Sequence, residues 1–183
     1  ARGAARPRSP RPGVPCGHTS SAAVPQRTAS EGEVPGIGPD HTVSSWGGGV
    51  YNWFDPWTLV RAVDRLRRRH PDVRLYFMGL KHPNPGVPDM RIAWELKHLA
   101  DELGLTGSYV FFNEGWVPYA ERADYLLDAD LGVSTHFHHV ETAFGFRTRI
   151  LDYLCTSLPI VSTDGDTSGA PITRHALGPP VTA

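Results

Sequence analysis

Cysteine is almost missing from this chain: Cys16 and Cys155 are the only two among 183 residues. They sit in unlike contexts, so no disulfide framework is expected, and the count points to a reducing compartment. No apolar run approaches the roughly 20 residues that span a bilayer. The first arginines are not followed by the apolar segment of a secretory signal. Charge is balanced to a formal net of −1, which argues against a general nucleic-acid binder. Two nucleotide signatures are missing as well. There is no GxxxxGK[ST] phosphate loop, and the GGG of Gly47–Gly49 is not the GxGxxG of dinucleotide folds. No lone acidic residue ends the second apolar run to hold an adenosine ribose, which weakens an NAD reading.

What is present is enough apolar material, 40% against 20% charged, for one packed domain. It is unevenly spread. Residues 1–40 are rich in Pro, Gly, Ala, Ser and Arg, with Val14, Val24, Val34 and Ile37 nearly the only sizeable apolar side chains. Such a segment buries too little surface to offset its ordering entropy, so a disordered tail is expected. Residues 41–170 form the domain, and 171–183 an irregular C-terminal tail. Within the domain, apolar runs at 42–46, 73–80, 108–114, 131–135 and 158–163 read as strands. Between them, Leu59, Val63 and Leu66 put an apolar stripe on a helix over 56–70, with Asp55 as N-cap and Pro56 at the first position. Ile92, Leu96, Leu99 and Leu103 do the same for a second helix, which Asp89 caps and Gly104 stops. Helices near 118 and over 146–157 complete the alternation. Continuous apolar strands alternating with helices imply a Rossmann-like, doubly wound parallel sheet of about five strands with helices on both faces. Ligands then bind beyond the carboxyl ends of the strands.

The segment HFHHVETAFGFRTR, 136–149, falls on that edge and admits three readings. His136, His138, His139 and Glu141 are all metal-ligand types, but H-x-H-H-x-x-E fits no helical zinc spacing. Polar loop histidines that hydrogen-bond or face water are preferred to a metal site. A metal-dependent hydrolase built on these four residues remains a lesser alternative. Asp164-Gly165-Asp166 raises the same question and is read as a turn. The phosphate reading has better mechanics. Gly145 precedes a helix whose first turn carries Arg147 and Arg149, where free amides, the helix dipole and forked guanidinium donors all suit an anion. The alternative is that both arginines coat the helix surface. Trp46, Tyr51, Trp53, Phe54 and Trp57 crowd the first loop, either to stack on a sugar or base or to pack a sheet-to-helix corner.

Four segments in series, SWGGGVYNWFDPWTLVRAVDRL, YFMGLKHPNP, EGWVPYAERADYLLDADLGVSTH and ETAFGFRTRILDYLCTSLPIVSTDGD, resemble the nucleotide-sugar-binding C-terminal domain of GT-B fold retaining glycosyltransferases. The resemblance covers 42–168. It implies a donor site in which Asp152 holds the nucleotide ribose and Glu141 takes the place of the family's preceding glutamate. The family spaces these two acids eight apart; eight before Asp152 stands Phe144, so Glu141 reaches that place through a differently shaped loop. Gly145, Phe146 and Arg147 fall on the turn whose amides meet the diphosphate, and Gly48 and Gly49 face the same group. Lys81, Arg147 and Arg149 are the available cations, and Gly115 to Val117 lie where the base is read. The implied reaction transfers a sugar from a nucleoside-diphosphate sugar to a saccharide or lipid-linked acceptor, with no cofactor or metal required. Relatives carry a second, N-terminal Rossmann-like domain, which this chain lacks, so a truncated enzyme or a non-catalytic nucleotide-sugar-binding fragment is expected. A nucleotide-sugar epimerase is a further alternative. A cytoplasmic place, peripheral to the inner membrane for a lipid-linked acceptor, follows from the same resemblance.

Overall fold

Asp55 and Pro56 start the first helix as their chemistry dictates. In the computed structural model, which describes residues 34–167 and 180–181, α1 (Pro56–Leu66) has Asp55 as N-cap, accepting from the Thr58 amide at 3.2 Å. The remaining elements alternate around it. They are β1 (Thr42–Trp46), β2 (Val73–Phe77), α2 (Arg91–Glu102), β3 (Val110–Phe112), α3 (Arg122–Asp128), β4 (Leu131–Ser134), α4 (Val140–Phe144), α5 (Thr148–Cys155), β5 (Ile160–Thr163) and β6 (Pro180–Val181). A single 3-10 turn over Tyr119–Glu121 leads into α3.

All strands are parallel, in the order β3-β2-β1-β4-β5-β6. The expected five-stranded doubly wound sheet is therefore present, extended by the two-residue β6. Side chains alternate between two buried faces, which is why the strands read as unbroken apolar runs. Val73, Leu75 and Phe77 of β2 join Trp46, Val60, Val63, Ile92 and Leu96 on the side of α1 and α2. Tyr76 and Met78 join Val43, Leu126, Ile150, Tyr153 and Ile160 on the side of α3 and α5.

Several local expectations change. Asp89 does not cap α2. Met90 occupies the cap without a side-chain bond, and Asn52 Oδ1, forty residues away, accepts from the Ile92 amide at 3.4 Å. Gly104 does end that helix region, at φ +63°. The loop expected over 136–145 contains the short helix α4. Most of the expected low-complexity tail lies outside the described residues, but Val34 and Ile37 pack into the second core, with Ile37 buried. Of the expected irregular segment 171–183, only Pro180–Val181 is described, and it is a strand. Cys155 is disulfide-bonded, against the expectation of two separate thiols, and its partner lies outside the described residues. Cysteine use therefore gives no support to a reducing compartment. Among the described residues no helix is long and apolar enough to cross a membrane.

The sheet order reverses between β1 and β4, so the loops after these two strands diverge and leave a crevice. Close packing under that crevice depends on Gly132. A Cβ there would lie 2.7 Å from the Tyr153 ring, and both groups are buried where neither can yield. Gly132→Ala is expected to cost about 2 kcal/mol or more of unfolding free energy in urea denaturation. Gly104→Ala, where a Cβ would meet open space, loses only what the positive φ demands, about 1 kcal/mol.

Candidate functional site

The crevice holds a cleft of about 360 Å³ lined by the glycine loop after β1, by Trp116 and Arg122 from the β3–α3 connection, and by Phe146, Arg147, Thr148, Arg149 and Asp152 at the start of α5. Its floor is the glycine loop. Gly48 adopts φ +96°, a conformation that demands glycine. The Gly47 amide donates to Tyr153 Oη at 2.8 Å, and the Gly49 carbonyl accepts from Trp46 Nε1 at 3.2 Å and Arg149 Nη2 at 3.0 Å. Two residues of α5 thus hold the loop from beneath.

Arg149 is enclosed between rings. Its guanidinium carbon lies 4.0 Å from the Trp46 centroid and 4.2 Å from that of Phe54, which themselves meet edge to face at 5.2 Å. Burial pushes its pKa down to about 10, with Arg147 and Arg122 acting in the same direction and the Tyr153 oxygen opposing. Burial also raises the Tyr153 phenol to about 12. Arg147, in extended backbone at φ −91°, ψ 96°, stands at the N-cap position of α5 without capping it. Its guanidinium lies 5.2 Å from the Phe54 ring, and Nε and Nη2 are enclosed and hydrogen-bond to nothing among the described residues. Burial lowers its pKa, while Asp166 pulls the other way. Asp166 Oδ2 lies 3.5 Å from Arg147 Nε and 3.5 Å from His136 Nε2. On the far wall Arg122 pairs with Asp152 at 3.4 Å and lies over the rings of Trp116 and Tyr119, 5.0 and 5.5 Å from their centroids.

The fold thus brings together Gly48, Gly49, Phe146, Arg147, Arg149 and Asp152 from the sequence-based set. It does not bring Lys81, which is exposed and 3.8 Å from Asp89. Val117 is buried in the second core, and its neighbour Trp116 faces the cleft instead. Gly145 lies outside the lining and accepts from Thr167 Oγ1 at 3.1 Å through its carbonyl. Glu141 belongs to α4, and its side chain lies outside the described part of the structure. The three histidines do not form one polar group. His136 is fully buried, while the His138 ring sits within reach of Gly165. Among the described residues no group of three or more His, Cys, Asp and Glu comes together. Asp164-Gly165 makes a turn, with Gly165 at φ +102°. Of the loop aromatics, Trp46 and Phe54 are core, whereas Tyr51 and Trp53 stack on each other at 4.9 Å along the cleft. Trp116 falls within the stretch Gly115 to Val117 expected at the base, whereas Arg122 and Asp166 were missed. Arg122 reads as helix surface and Asp166 as a turn residue, and no local signal marks either.

The architecture is that of the C-terminal domain of a GT-B fold. Solved structures that share it include the following two. One is WaaG, a glycosyltransferase involved in lipopolysaccharide biosynthesis (TM-score 0.57, 18% identity, covering 78% of this chain and 34% of that one). The other is the C-terminal domain of LpcC, a glycosyl transferase group 1 family protein from Francisella tularensis (TM-score 0.55, 16% identity, 75% of this chain and 62% of that one). The chain therefore spans about a third of WaaG. No family model and no curated protein matches the sequence.

Arg149 carries the cost of a buried cation at every pH below its lowered pKa of about 10. Replacing it with a ring-packed apolar chain removes that cost, and Trp46 Nε1 still satisfies the Gly49 carbonyl. Arg149→Met is expected to leave unfolding free energy unchanged or raise it by about 1 kcal/mol. A loss above about 2 kcal/mol in urea titrations would show the cation to be a structural strut.

Proposed function

We propose that this chain is the donor-binding part of a glycosyltransferase that moves a sugar from a nucleoside-diphosphate sugar to a saccharide or lipid-linked acceptor. The observation that carries this reading is Arg147: a nine-tenths buried guanidinium with an unbonded edge, lining a cleft at the start of an uncapped helix. A neutral ligand leaves that edge unsatisfied, whereas a phosphate oxygen suits its fork. The likeness to WaaG and LpcC supports the same choice through the fold they share.

In this reading the diphosphate lies over Gly48 and Gly49, between the first turn of α5 and Arg147. The nucleoside extends toward Trp116, Arg122 and Asp152, with Asp152 at the ribose. Tyr51 and Trp53 offer stacked ring surface to the remaining part of the donor. Glu141 is assigned to the reacting sugar by family resemblance, as is retention of anomeric configuration. Breaking the sugar–phosphate bond leaves new negative charge on the diphosphate. Fixed amides and guanidinium groups stabilise it as it forms, and the sugar passes through an oxocarbenium-like state. No cofactor enters this scheme. The acceptor is a substrate of the lipopolysaccharide kind if the likeness to WaaG extends to function, which also suits peripheral attachment to the inner membrane.

Calorimetric titration with UDP, GDP, uridine and guanosine tests the assignment. Arg147→Ala is expected to weaken a nucleoside diphosphate by roughly tenfold or more, the worth of a hydrogen bond to a charged group, and to leave the bare nucleoside nearly unchanged. Equal losses for both would remove Arg147 from the phosphate role. Asp152→Ala is expected to weaken the nucleoside itself, because the carboxylate is assigned to the ribose.

A further inference from the structure

Behind the cleft one carboxylate ties three loops together. Asp166 follows β5, His136 follows β4 and Arg147 precedes α5. The Asp166 and His136 side chains are wholly enclosed and that of Arg147 is 8% exposed. Asp166 Oδ2 faces both Arg147 Nε and His136 Nε2 at 3.5 Å. His136 is itself held: its amide donates to Thr163 Oγ1 at 3.2 Å, and its Nδ1 lies 3.2 Å from the Phe137 carbonyl. The guanidinium packs on Phe54 at 5.2 Å. The contact with Asp166 is an ion pair without a formed hydrogen bond, so charge on the Nε side and the Phe54 ring together restrict how the guanidinium turns.

We propose that Asp166, backed by His136, is a positioning residue that aims the free edge of Arg147 at an incoming phosphate. The proposal takes its ligand from the donor-site reading above. Its physical signature is one of sign. A buried carboxylate beside an anion site repels the anion and is costly to desolvate, so charge alone disfavours it there. Orientation of the arginine fork is what offsets that repulsion.

Two measurements on the whole chain decide the matter. The first is calorimetric affinity for inorganic pyrophosphate. Asp166→Asn is expected to weaken binding roughly tenfold, as loss of orientation dictates; unchanged or tighter binding, the result of simple charge removal, would overturn the proposal. In an Arg147→Lys background the same change is expected to cost nothing further, and additive losses would overturn it. If Asp166→Asn does not fold, His136 supplies the test. His136→Gln keeps a polar group toward Asp166 and is expected to retain most of the affinity, His136→Leu to lose it, and equal behaviour of the two counts against the proposal. The second measurement needs no ligand: the NMR signal of Arg147 Nε–H. It is expected to be sharp and slow to exchange in the wild type and to lose that protection in Asp166→Asn, or in His136→Leu where the former does not fold. An identical signal in both proteins sinks the positioning role. A wild type that ignores pyrophosphate removes the anion-site reading, and the NMR comparison still decides whether Asp166 holds Arg147.

Discussion

Strands that end inside a protein leave backbone groups without partners, and here one phenol collects them. Tyr153 Oη accepts from the Gly47 amide and lies 2.9 and 3.1 Å from the carbonyls of Val133 and Ser45. The pairing of β1 with β4 stops at Ser45 and Gly132, so the groups beyond it have no further ladder between these two strands to join. A hydroxyl serves as acceptor and donor at once, which no aliphatic side chain at this place can do. Because Tyr153 belongs to α5, the helix that borders the cleft also fixes the loop that floors it. Displacing the ring would release the glycine loop and leave a void against Gly132. The site and the core share this contact.

Electrostatics then explains the character of the cleft. Arg122, Arg147 and Arg149 converge on it, while Asp152 and Asp166 answer two of the three charges. The start of α5 adds the positive end of a helix dipole with no side-chain cap. Placing arginines there opposes the usual preference of cations for the other end of a helix. Rings of Trp46 and Phe54 make Arg149 tolerable by offering their electron-rich faces. Burying these cations is costly, and Arg147 and Arg149 both keep enclosed nitrogens without hydrogen bonds.

Legibility in the sequence followed the range of the interaction. Asp55-Pro56 at the start of α1 depends on neighbours three residues apart, and it was read correctly. The alternation of strands and helices was legible because both faces of the sheet are covered, which makes each strand an unbroken apolar run. Asp89 failed as a cap because Asn52, from another loop, supplies the acceptor for the Ile92 amide. His136 was grouped with His138 and His139 by adjacency, yet it alone points inward from the end of β4. Asp166 looked like half of a common turn, and only the packing of β5 beside β4 brings it to Arg147 and His136.

By itself the sequence determined the periodicities, the Asp55 cap made by near neighbours and the cation-rich turn before α5. These rest on backbone geometry and on contacts within one helical turn. Tertiary structure alone decided which of the cations face the cleft, that Arg149 lies between two rings, that Arg122 meets Asp152, and that Asp166 stands behind Arg147. The reason is physical: parallel strands separated by long crossovers place the ends of distant segments side by side. No local pattern encodes the few ångströms that turn two charges into a pair.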